Sequence, residues 1–258
     1  NGDGIADGRL IASGEGRQED PIFISDQDGG GYISWRSYHN DPVYGELYSQ
    51  YIDEDGNLLW QSDQLISGDI KIQIDSQQNM CSDRQGGVYI TWYADSGADN
   101  GYYYGTHIKS DGNLVGPTVL IDTDDNYGNV SLESAGSGDA VIAWKEGDLD
   151  EENIYAERIH ANYSNGTIDK LWNSSGNPVE VCTSNGSQIS PKVSYFSDDY
   201  VVVVWEDWRS SVSGIGGNFI DTEGNLEFSS IDNSDIVYTT TSSSPAFPRV
   251  KATSNGAF

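Results

Sequence analysis

Short runs of apolar and β-branched residues alternate with clusters of Gly, Asp and Asn along the whole chain. In the first stretch these runs are PIFIS, GYISW, ELYSQYID and NLLWQSDQLI. Runs of this length that are rich in Ile, Val, Tyr and Trp favour strands. The clusters favour turns, because glycine accepts a positive φ and Asn or Asp hydrogen-bonds its own backbone. No long stretch combines the helical period with helix caps, so the pattern predicts an all-β chain.

This four-run pattern occurs four times, with two landmarks in phase. A Trp closes the second run of each copy, and successive Trp residues lie 57, 52 and 61 positions apart. A turn containing Gly follows each Trp after 19 to 22 residues. The landmarks are Trp35, Trp92, Trp144 and Trp205, with Gly56, Gly112, Gly166 and Gly224. Self-similarity of this kind is the signature of a repeat architecture.

The repeat predicts a β-propeller built from four-stranded blades of about 52–61 residues, incomplete at both ends. A single blade cannot bury both of its faces, whereas blades packed around an axis can. The continuous apolar runs Ala140–Ala143 and Val201–Val204 favour strands that are buried on both faces. The repeated Trp is then expected in the core between blades rather than at a ligand. A β-solenoid and a string of small sandwiches are the alternatives.

Residues 1–258 are predicted to form one propeller segment, and the repeat also predicts the boundaries of its blades. Residues 1–20 are expected to end a preceding blade, and residues 248–258 to begin a further one. The four blades between them are predicted at 21–77, 78–129, 130–190 and 191–247. A fifth copy starting at Pro248 would place its Trp beyond Phe258, so the chain is expected to be a segment of a longer protein.

The charge balance narrows the range of partners. The chain has 41 acidic and 13 basic residues, a net charge of −28. A field of this sign opposes phosphate-directed binding of nucleic acid and adsorption to an anionic membrane. No apolar run approaches the length of a membrane helix, so no direct membrane insertion is expected. The predicted location is secreted or cell surface, and the predicted partners are other modules of the same chain and surface glycans or proteins.

The cysteines and histidines do not form a recognisable site in the sequence. Cys81 and Cys182 fall on an inner and an outer strand of different copies, so two buried or partly buried thiols are expected rather than a disulfide. The three histidines, His39, His107 and His160, occupy unrelated points of the repeat. Surface positions are therefore expected for all three.

The search for catalytic motifs is negative. The chain has no His-Glu-x-x-His, Cys-x-x-Cys, Gly-x-Ser-x-Gly or phosphate loop. With 41 acidic residues, some pair of carboxylates will always lie at a spacing suited to glycoside hydrolysis. Such a pair therefore does not indicate that the chain is a glycoside hydrolase. The runs SDQDGGGYISW and SDRQGGVYITW resemble the Asp-box of propeller sialidases, but its Ser-x-Asp phasing is missing and arginine is scarce. No catalytic residue is predicted, and the chain is expected not to be an enzyme.

Calcium is the one cofactor that the sequence indicates. Asn1, Asp3 and Asp7 match the N-x-D-G-x-x-D part of Asp-rich calcium loops, as in dockerin-like and thrombospondin-like repeats. Oxygen ligands at alternate positions with Gly at the bend suit a hard cation. A plain Asp-Gly hairpin turn is the alternative.

Two clusters of tyrosines are candidates for a sugar-binding face. Tyrosine stacks on the apolar faces of sugars and also carries a hydrogen-bonding hydroxyl. The clusters are Tyr102–Tyr104 and the group Tyr38, Tyr44, Tyr48 and Tyr51. Packing within a sheet explains alternating tyrosines equally well.

The fourth copy carries a more specific spacing. PKVSYFSDDYVVVVWEDWR places Trp205, Asp207 and Arg209 as W-x-D-x-R, and the third copy contains NIYAERIHANYSNGTIDKLW. Over nearly its whole length the chain resembles bacterial secreted or cell-surface repeat proteins of this W-x-D-x-R type, as in Bacteroidetes-like modular surface proteins. Copies one and two keep the Trp and the Gly turn but lose the W-x-D-x-R. The resemblance implies a propeller, export and often a C-terminal sorting module, but no activity.

The resulting functional expectation is a non-catalytic extracellular module of a larger protein, serving adhesion or surface assembly. A carbohydrate-binding or glycan-processing propeller is the first alternative. A calcium-stabilised structural spacer is the second.

Overall fold

A computed structural model describes twelve stretches of the 258-residue chain. They are residues 10–12, 15–26, 29–41, 43–70, 72–73, 78–95, 101–123, 130–172, 177–209, 213–228, 235–240 and 248–251. Among these residues, no helix is long and apolar enough to cross a membrane.

The described strands form four antiparallel sheets, as the all-β prediction required. Sheet 1 contains β1 Gln18–Ser25, β2 Gly31–Ser37, β3 Tyr44–Ile52 and β4 Gln64–Leu65, with β5 Ile72–Gln73 paired to β3. Sheet 2 contains β6 Gln78–Ser82, β7 Gly87–Asp95, β8 Gly101–Lys109 and β9 Leu114–Thr123. Sheet 3 contains β10 Ser131–Gly136, β11 Asp139–Glu146, β12 Asn153–Asn162 and β13 Thr167–Lys170, with β14 Val179–Cys182 paired to β12. Sheet 4 contains β15 Gln188–Ser197, β16 Tyr200–Asp207, β17 Ser213–Asp221 and β18 Asp235–Thr240.

The sheets stack in chain order through three apolar seams. Successive side chains of a strand point to opposite faces, so the second strand of sheet 2 or of sheet 3 contributes to the seams on both sides of its sheet. In sheet 2, Ile90 and Trp92 pack on sheet 1, whereas Tyr89 packs on sheet 3. We call the face that carries the repeated Trp the leading face and the opposite face the trailing face. Trp144 and Trp205 lie on the leading faces of sheets 3 and 4, packed on sheets 2 and 3 respectively.

The sheets converge at one edge. The first strands are neighbours: β1 contacts β6, β6 contacts β10, and β10 contacts β15. Arg84, in the turn after β6, reaches past sheet 3 to Tyr195 on β15, with its guanidinium carbon 3.6 Å from the ring centroid. Sheets 2 and 4, which lie on either side of sheet 3, therefore contact each other directly on this side. We call this side the inner edge.

Repeated hydrogen bonds clasp neighbouring sheets together. The hydroxyl of Tyr32 donates to the carbonyl of Gly86 in the next sheet at 2.6 Å, and that of Tyr89 donates to the carbonyl of Gly138 at 2.8 Å. At the outer hairpins, the indole of Trp60 donates to Ser110 O and that of Trp172 donates to Thr222 O. All four donors cross a seam, and all four acceptors are main-chain carbonyls.

The sequence landmarks occupy defined places in this arrangement. The four repeated Trp residues are at most 4% exposed. The four landmark glycines have φ between 72° and 87°, the left-handed region that a tight turn requires. Cys81 and Cys182 are both buried and are not joined in a disulfide, as expected.

Two predicted boundaries need correction. Strand β1 begins at Gln18, so residues 18–20 belong to sheet 1 and not to a preceding blade. Strand β15 begins at Gln188, three residues before the predicted start at 191. Within the described residues no apolar seam joins sheet 4 to sheet 1, and no closed ring is detected among them.

In sheet 4, the side chains of the W-x-D-x-R spacing hydrogen-bond to one another at the end of the second strand. The carboxylate of Asp207, 1% exposed, accepts hydrogen bonds from the Trp205 indole at 3.2 Å and from Arg209 Nε at 2.9 Å. In sheet 3, Glu146 accepts from the Trp144 indole in the same way. In sheet 2 the corresponding position is alanine, and the Trp92 indole nitrogen is buried with no partner among the described residues. The W-x-D-x-R spacing therefore marks a set of local hydrogen bonds, a structural brace at the end of one strand.

The tyrosine clasp gives a stability prediction. Replacing Tyr89 by Phe keeps the ring in its seam but leaves the Gly138 carbonyl and the Ala161 N–H, which donates to the Tyr89 hydroxyl at 2.9 Å, without partners. We expect the free energy of unfolding to fall by about 1–3 kcal/mol, measured by urea denaturation. Tyr44→Phe is the matched control, since its ring is 39% exposed. Equal effects of the two changes would show that the clasp contributes nothing.

Candidate functional site

The calcium candidates Asn1, Asp3 and Asp7 lie outside the described residues. Within the part of the chain that the structure describes, no group of three or more His, Cys, Asp or Glu side chains could hold a metal ion.

Five polar or aromatic side chains from three sheets meet at the inner edge instead. Arg84 comes from the turn after β6, Glu133 from β10, Tyr195 from β15, Asp198 from the turn after β15, and Lys251 from the stretch 248–251. We call this group the inner-edge cluster. Arg84, Asp198 and Lys251 are exposed, while Glu133 and Tyr195 are half-buried, so solvent reaches the cluster.

Glu133 is the acid of this cluster. Burial raises the pKa of its carboxyl, and this outweighs the lowering by the Ser134 N–H, by Arg84 and by Lys251. The Ser134 N–H donates to Glu133 Oε1 at 2.9 Å. A carboxyl of this kind keeps its proton to a higher pH than an ordinary glutamate and so can deliver one to a bound molecule.

Tyr195 connects the cation and the second carboxylate of the cluster. Its hydroxyl donates to Asp198 Oδ1 at 2.5 Å, and this hydrogen bond is the main reason why the pKa of Tyr195 is raised. The Arg84 guanidinium lies over the same ring. Arg84 therefore lies near two carboxyl groups, that of Glu133, which it influences electrostatically, and that of Asp198, to which it is linked through Tyr195.

Sequence reasoning did not single out these residues. Arg84 lies within the SDRQGGVYITW run, which drew attention only through its likeness to an Asp-box. Glu133, Tyr195 and Lys251 carry no motif. Only the convergence of sheets 2, 3 and 4 brings them together, although they are separated by up to 167 positions.

A cavity of about 410 Å³ lies on the leading face of sheet 1. Its aromatic wall is Trp35 stacked on Tyr48, with ring centroids 6.3 Å apart, and Gln18, His39 and Asp63 complete the lining. The same cross-strand Trp–Tyr pair occurs in sheets 2 and 3, with ring centroids 6.0 Å apart, as Trp92–Tyr104 and Trp144–Tyr155. In those two sheets the pair packs on the preceding sheet and is part of the seam.

The other tyrosine candidates are distributed between seams and surface. Tyr51 and Tyr104 pack at the seam between sheets 1 and 2, and Tyr103 is buried in the seam between sheets 2 and 3. Tyr38 is buried beneath the Arg17 guanidinium, and Tyr44 is exposed. The structure does not bring the two clusters together into one face.

One histidine departs from its expected surface position. His107 is 2% exposed and donates from Nε2 to Asp83 Oδ2 at 2.9 Å, while its Nδ1 lies 2.7 Å from the Tyr163 hydroxyl. Burial alone would raise the pKa of Asp83, but hydrogen bonds from His107, Gln85 and Gly87 lower it overall. Because burial also raises the pKa of Tyr163, this chain of groups is a structural link between sheets 2 and 3 rather than a nucleophile system.

A second buried carboxyl, Glu157, has a structural role. Its Oε1 accepts from the Trp172 N–H, just as Gln50 Oε1 in sheet 1 accepts from the Trp60 N–H. The Gln50 amide also donates to the Trp60 carbonyl, whereas Glu157 Oε2 is buried with no partner among the described residues. Burial raises the pKa of Glu157 and so favours its protonated form. The protonated carboxyl occupies the position that the Gln50 amide has in sheet 1.

Glu157→Gln is therefore expected to stabilise the protein above about pH 5, the range where an unfolded glutamate is ionised. The pKa of this carboxyl is higher in the folded protein than in the unfolded chain. The free energy of unfolding therefore falls as the pH rises from the unfolded pKa through the folded pKa. The glutamine variant should lack this loss and should match the parent at low pH. Thermal melts from pH 4 to pH 8 test this, and parallel curves would contradict it.

The comparisons with known proteins give a fold-level likeness. No protein-family profile and no curated protein matches the chain. Similar solved structures include the Hadza microbial sialidase Hz136, with a TM-score of 0.45 and 11% identity over 80% of this chain and 45% of that one. An α-L-arabinofuranosidase from Lactobacillus brevis has a TM-score of 0.42 and 12% identity, over 82% and 75% of the two chains. A thermostable family-43 glycoside hydrolase has a TM-score of 0.39 and 13% identity, over 81% and 92%.

The chain thus spans less than half of the sialidase, and these values transfer neither a substrate nor a residue role. These proteins are nevertheless enzymes, and a polysaccharide lyase of the ulvan lyase type also matches. The expectation that the chain is not an enzyme is contradicted by this comparison and is withdrawn.

Proposed function

We propose that the four sheets are consecutive blades of a β-propeller and that this propeller processes glycans at the inner-edge cluster. Three features support the blade assignment. Each sheet is a local meander in chain order, each sheet buries both faces against its neighbours where neighbours exist, and the first strands converge. In such an architecture the inner edge borders the axis, where loops from several blades can contact one ligand.

The observation that carries the chemistry is the half-buried Glu133, whose pKa is raised by burial and which lies beside Arg84. Glycoside hydrolysis uses one carboxyl that donates a proton to the leaving oxygen and a second that acts as base or nucleophile. Glu133 takes the first role and Asp198 the second. Arg84 and Lys251 supply hydrogen-bond donors for sugar hydroxyls or a sugar carboxylate.

Glu133→Gln removes the proton donor and keeps the shape of the side chain. We expect kcat/KM on a cleaved glycan to fall about 100- to 10,000-fold, the usual contribution of general acid catalysis. The measurement is a screen of neutral and acidic glycans for cleavage, followed by kinetics on whichever is cleaved. Glu223→Gln is the control, an exposed glutamate on an outer hairpin. A wild-type chain that cleaves no glycan would refute the function, and full activity of the Glu133 variant would refute the assignment.

Arg84→Gln provides an independent test of the same role. Arg84 lowers the pKa of Glu133, so removing its charge should raise that pKa further. The alkaline limb of the kcat/KM profile should then move to higher pH, because Glu133 stays protonated longer. A limb that does not move, or that moves to lower pH, contradicts proton donation by Glu133.

A further inference from the structure

The inner-edge cluster has a positive end and a negative end. The side-chain charges that act on Glu133 are those of Arg84 and Lys251, and both are cations. The tyrosine of the cluster instead has two carboxylates near it, those of Asp198 and Asp199. A ligand that lies across the cluster therefore meets cations beside the proton donor and carboxylates at the opposite end.

Arg84 is not neutralised by a carboxylate of the described residues. Its guanidinium lies over the Tyr195 ring but makes no hydrogen bond or salt bridge with any residue that the structure describes. A guanidinium carries five N–H donors in a fork that matches the two oxygens of a carboxylate. These donors are therefore available to a ligand. By contrast, four other arginines each form a salt bridge with an Asp or Glu: Arg17, Arg36, Arg158 and Arg209.

The two cations also work against the proton donor. Burial raises the pKa of Glu133, whereas Arg84 and Lys251 lower it. An anionic group bound to these cations would offset their effect on Glu133 and let its pKa rise further. The charge that hinders proton donation in the free protein would then be compensated as the substrate binds.

The charge of the whole chain makes this local arrangement decisive. A net charge of −28 creates a long-range field that opposes the approach of any anion. A preference for an anionic glycan over a neutral one of the same shape must therefore come from nearby cations. Arg84 and Lys251 are exposed and supply such cations at the cluster itself.

We propose that the inner-edge cluster takes an acidic sugar, whose carboxylate is bound by Arg84 and Lys251 while Glu133 faces the glycosidic oxygen. This inference rests on the proposed glycan cleavage and names its substrate class. The glycosidic C–O bond breaks as the Glu133 proton passes to the leaving oxygen, and water supplies the hydroxyl group of the anomeric carbon, with Asp198 as base or nucleophile. The carboxylate of the sugar is unchanged in this reaction.

The test compares acidic oligosaccharides with their carboxyl-reduced forms. Oligomers of galacturonate, glucuronate and mannuronate are each paired with the neutral form of the same linkage and length, and binding to the whole chain is measured by calorimetry. At least one acidic oligomer should bind about tenfold more tightly than its neutral form, as expected for one added charged hydrogen bond.

Variants at the two cations test where the carboxylate binds. Arg84→Gln and Lys251→Gln should each weaken binding of the acidic oligomer about tenfold and leave binding of its neutral form nearly unchanged. Lys170→Gln is the matched control, because it removes the same charge from an exposed position on β13. Circular dichroism and thermal melts establish that all variants are folded.

The pH dependence of cleavage gives a second readout. The kcat profile reports the pKa of Glu133 in the complex, and the kcat/KM profile reports it in the free protein. With the acidic substrate, the alkaline limb of kcat should lie at higher pH than that of kcat/KM, because the bound carboxylate offsets the two cations. Coincident limbs would contradict the proposal.

The outcomes separate this inference from the proposed function. Equal binding of the acidic and neutral forms, no binding of any acidic oligomer, or an effect of Lys170→Gln equal to that of Arg84→Gln would overturn the acidic-sugar site. Cleavage of neutral glycans alone would also overturn it and would leave the proposed function standing. Preferential binding of acidic oligomers without cleavage would support the site and refute the proposed function.

Discussion

The packing of one sheet's repeated Trp against the sheet before it is the constraint on which the rest of the structure depends. A single four-stranded repeat of about 50 residues cannot bury its apolar faces alone. Trp92, Trp144 and Trp205 each insert into the seam with the preceding sheet and are at most 4% exposed. This requirement fixes the order of the sheets and the direction in which each one faces. The sheets packed in this way converge at the inner edge, where Arg84 meets Tyr195.

The sequence was informative about the fold because the fold repeats. Periodicity identified the strands, the turns and the role of Trp205, since a residue that recurs in phase must satisfy a recurring environment. The sequence was less informative about where strands begin, as Gln18 and Gln188 show, because the limits of a strand depend on its pairing with a neighbouring strand. The resemblance to W-x-D-x-R repeats located a structural brace around Asp207 and left the activity open.

The candidate site was hidden for the opposite reason. Glu133 and Arg84 do not recur in phase, and their proximity is a property of how three sheets meet. His107 was misplaced on the surface because nothing in its local sequence indicates that Tyr163 and Asp83 enclose it. A raised pKa does not by itself tell the role of a glutamate side chain. Glu157 and Glu133 both have a raised pKa, yet one braces an outer strand and the other faces solvent beside a cation.

The clasps between sheets accept their hydrogen bonds on main-chain carbonyls, such as that of Gly86. A carbonyl is present whatever side chain the residue carries, so the seam places little demand on side-chain identity in the turns it holds. Arg84 lies two residues from Gly86 in such a turn. The residues that face a ligand can therefore diverge from one repeat to the next, while the contact that keeps adjoining repeats together stays the same. Diversity of recognition and constancy of architecture are thus carried by different atoms of the same turn.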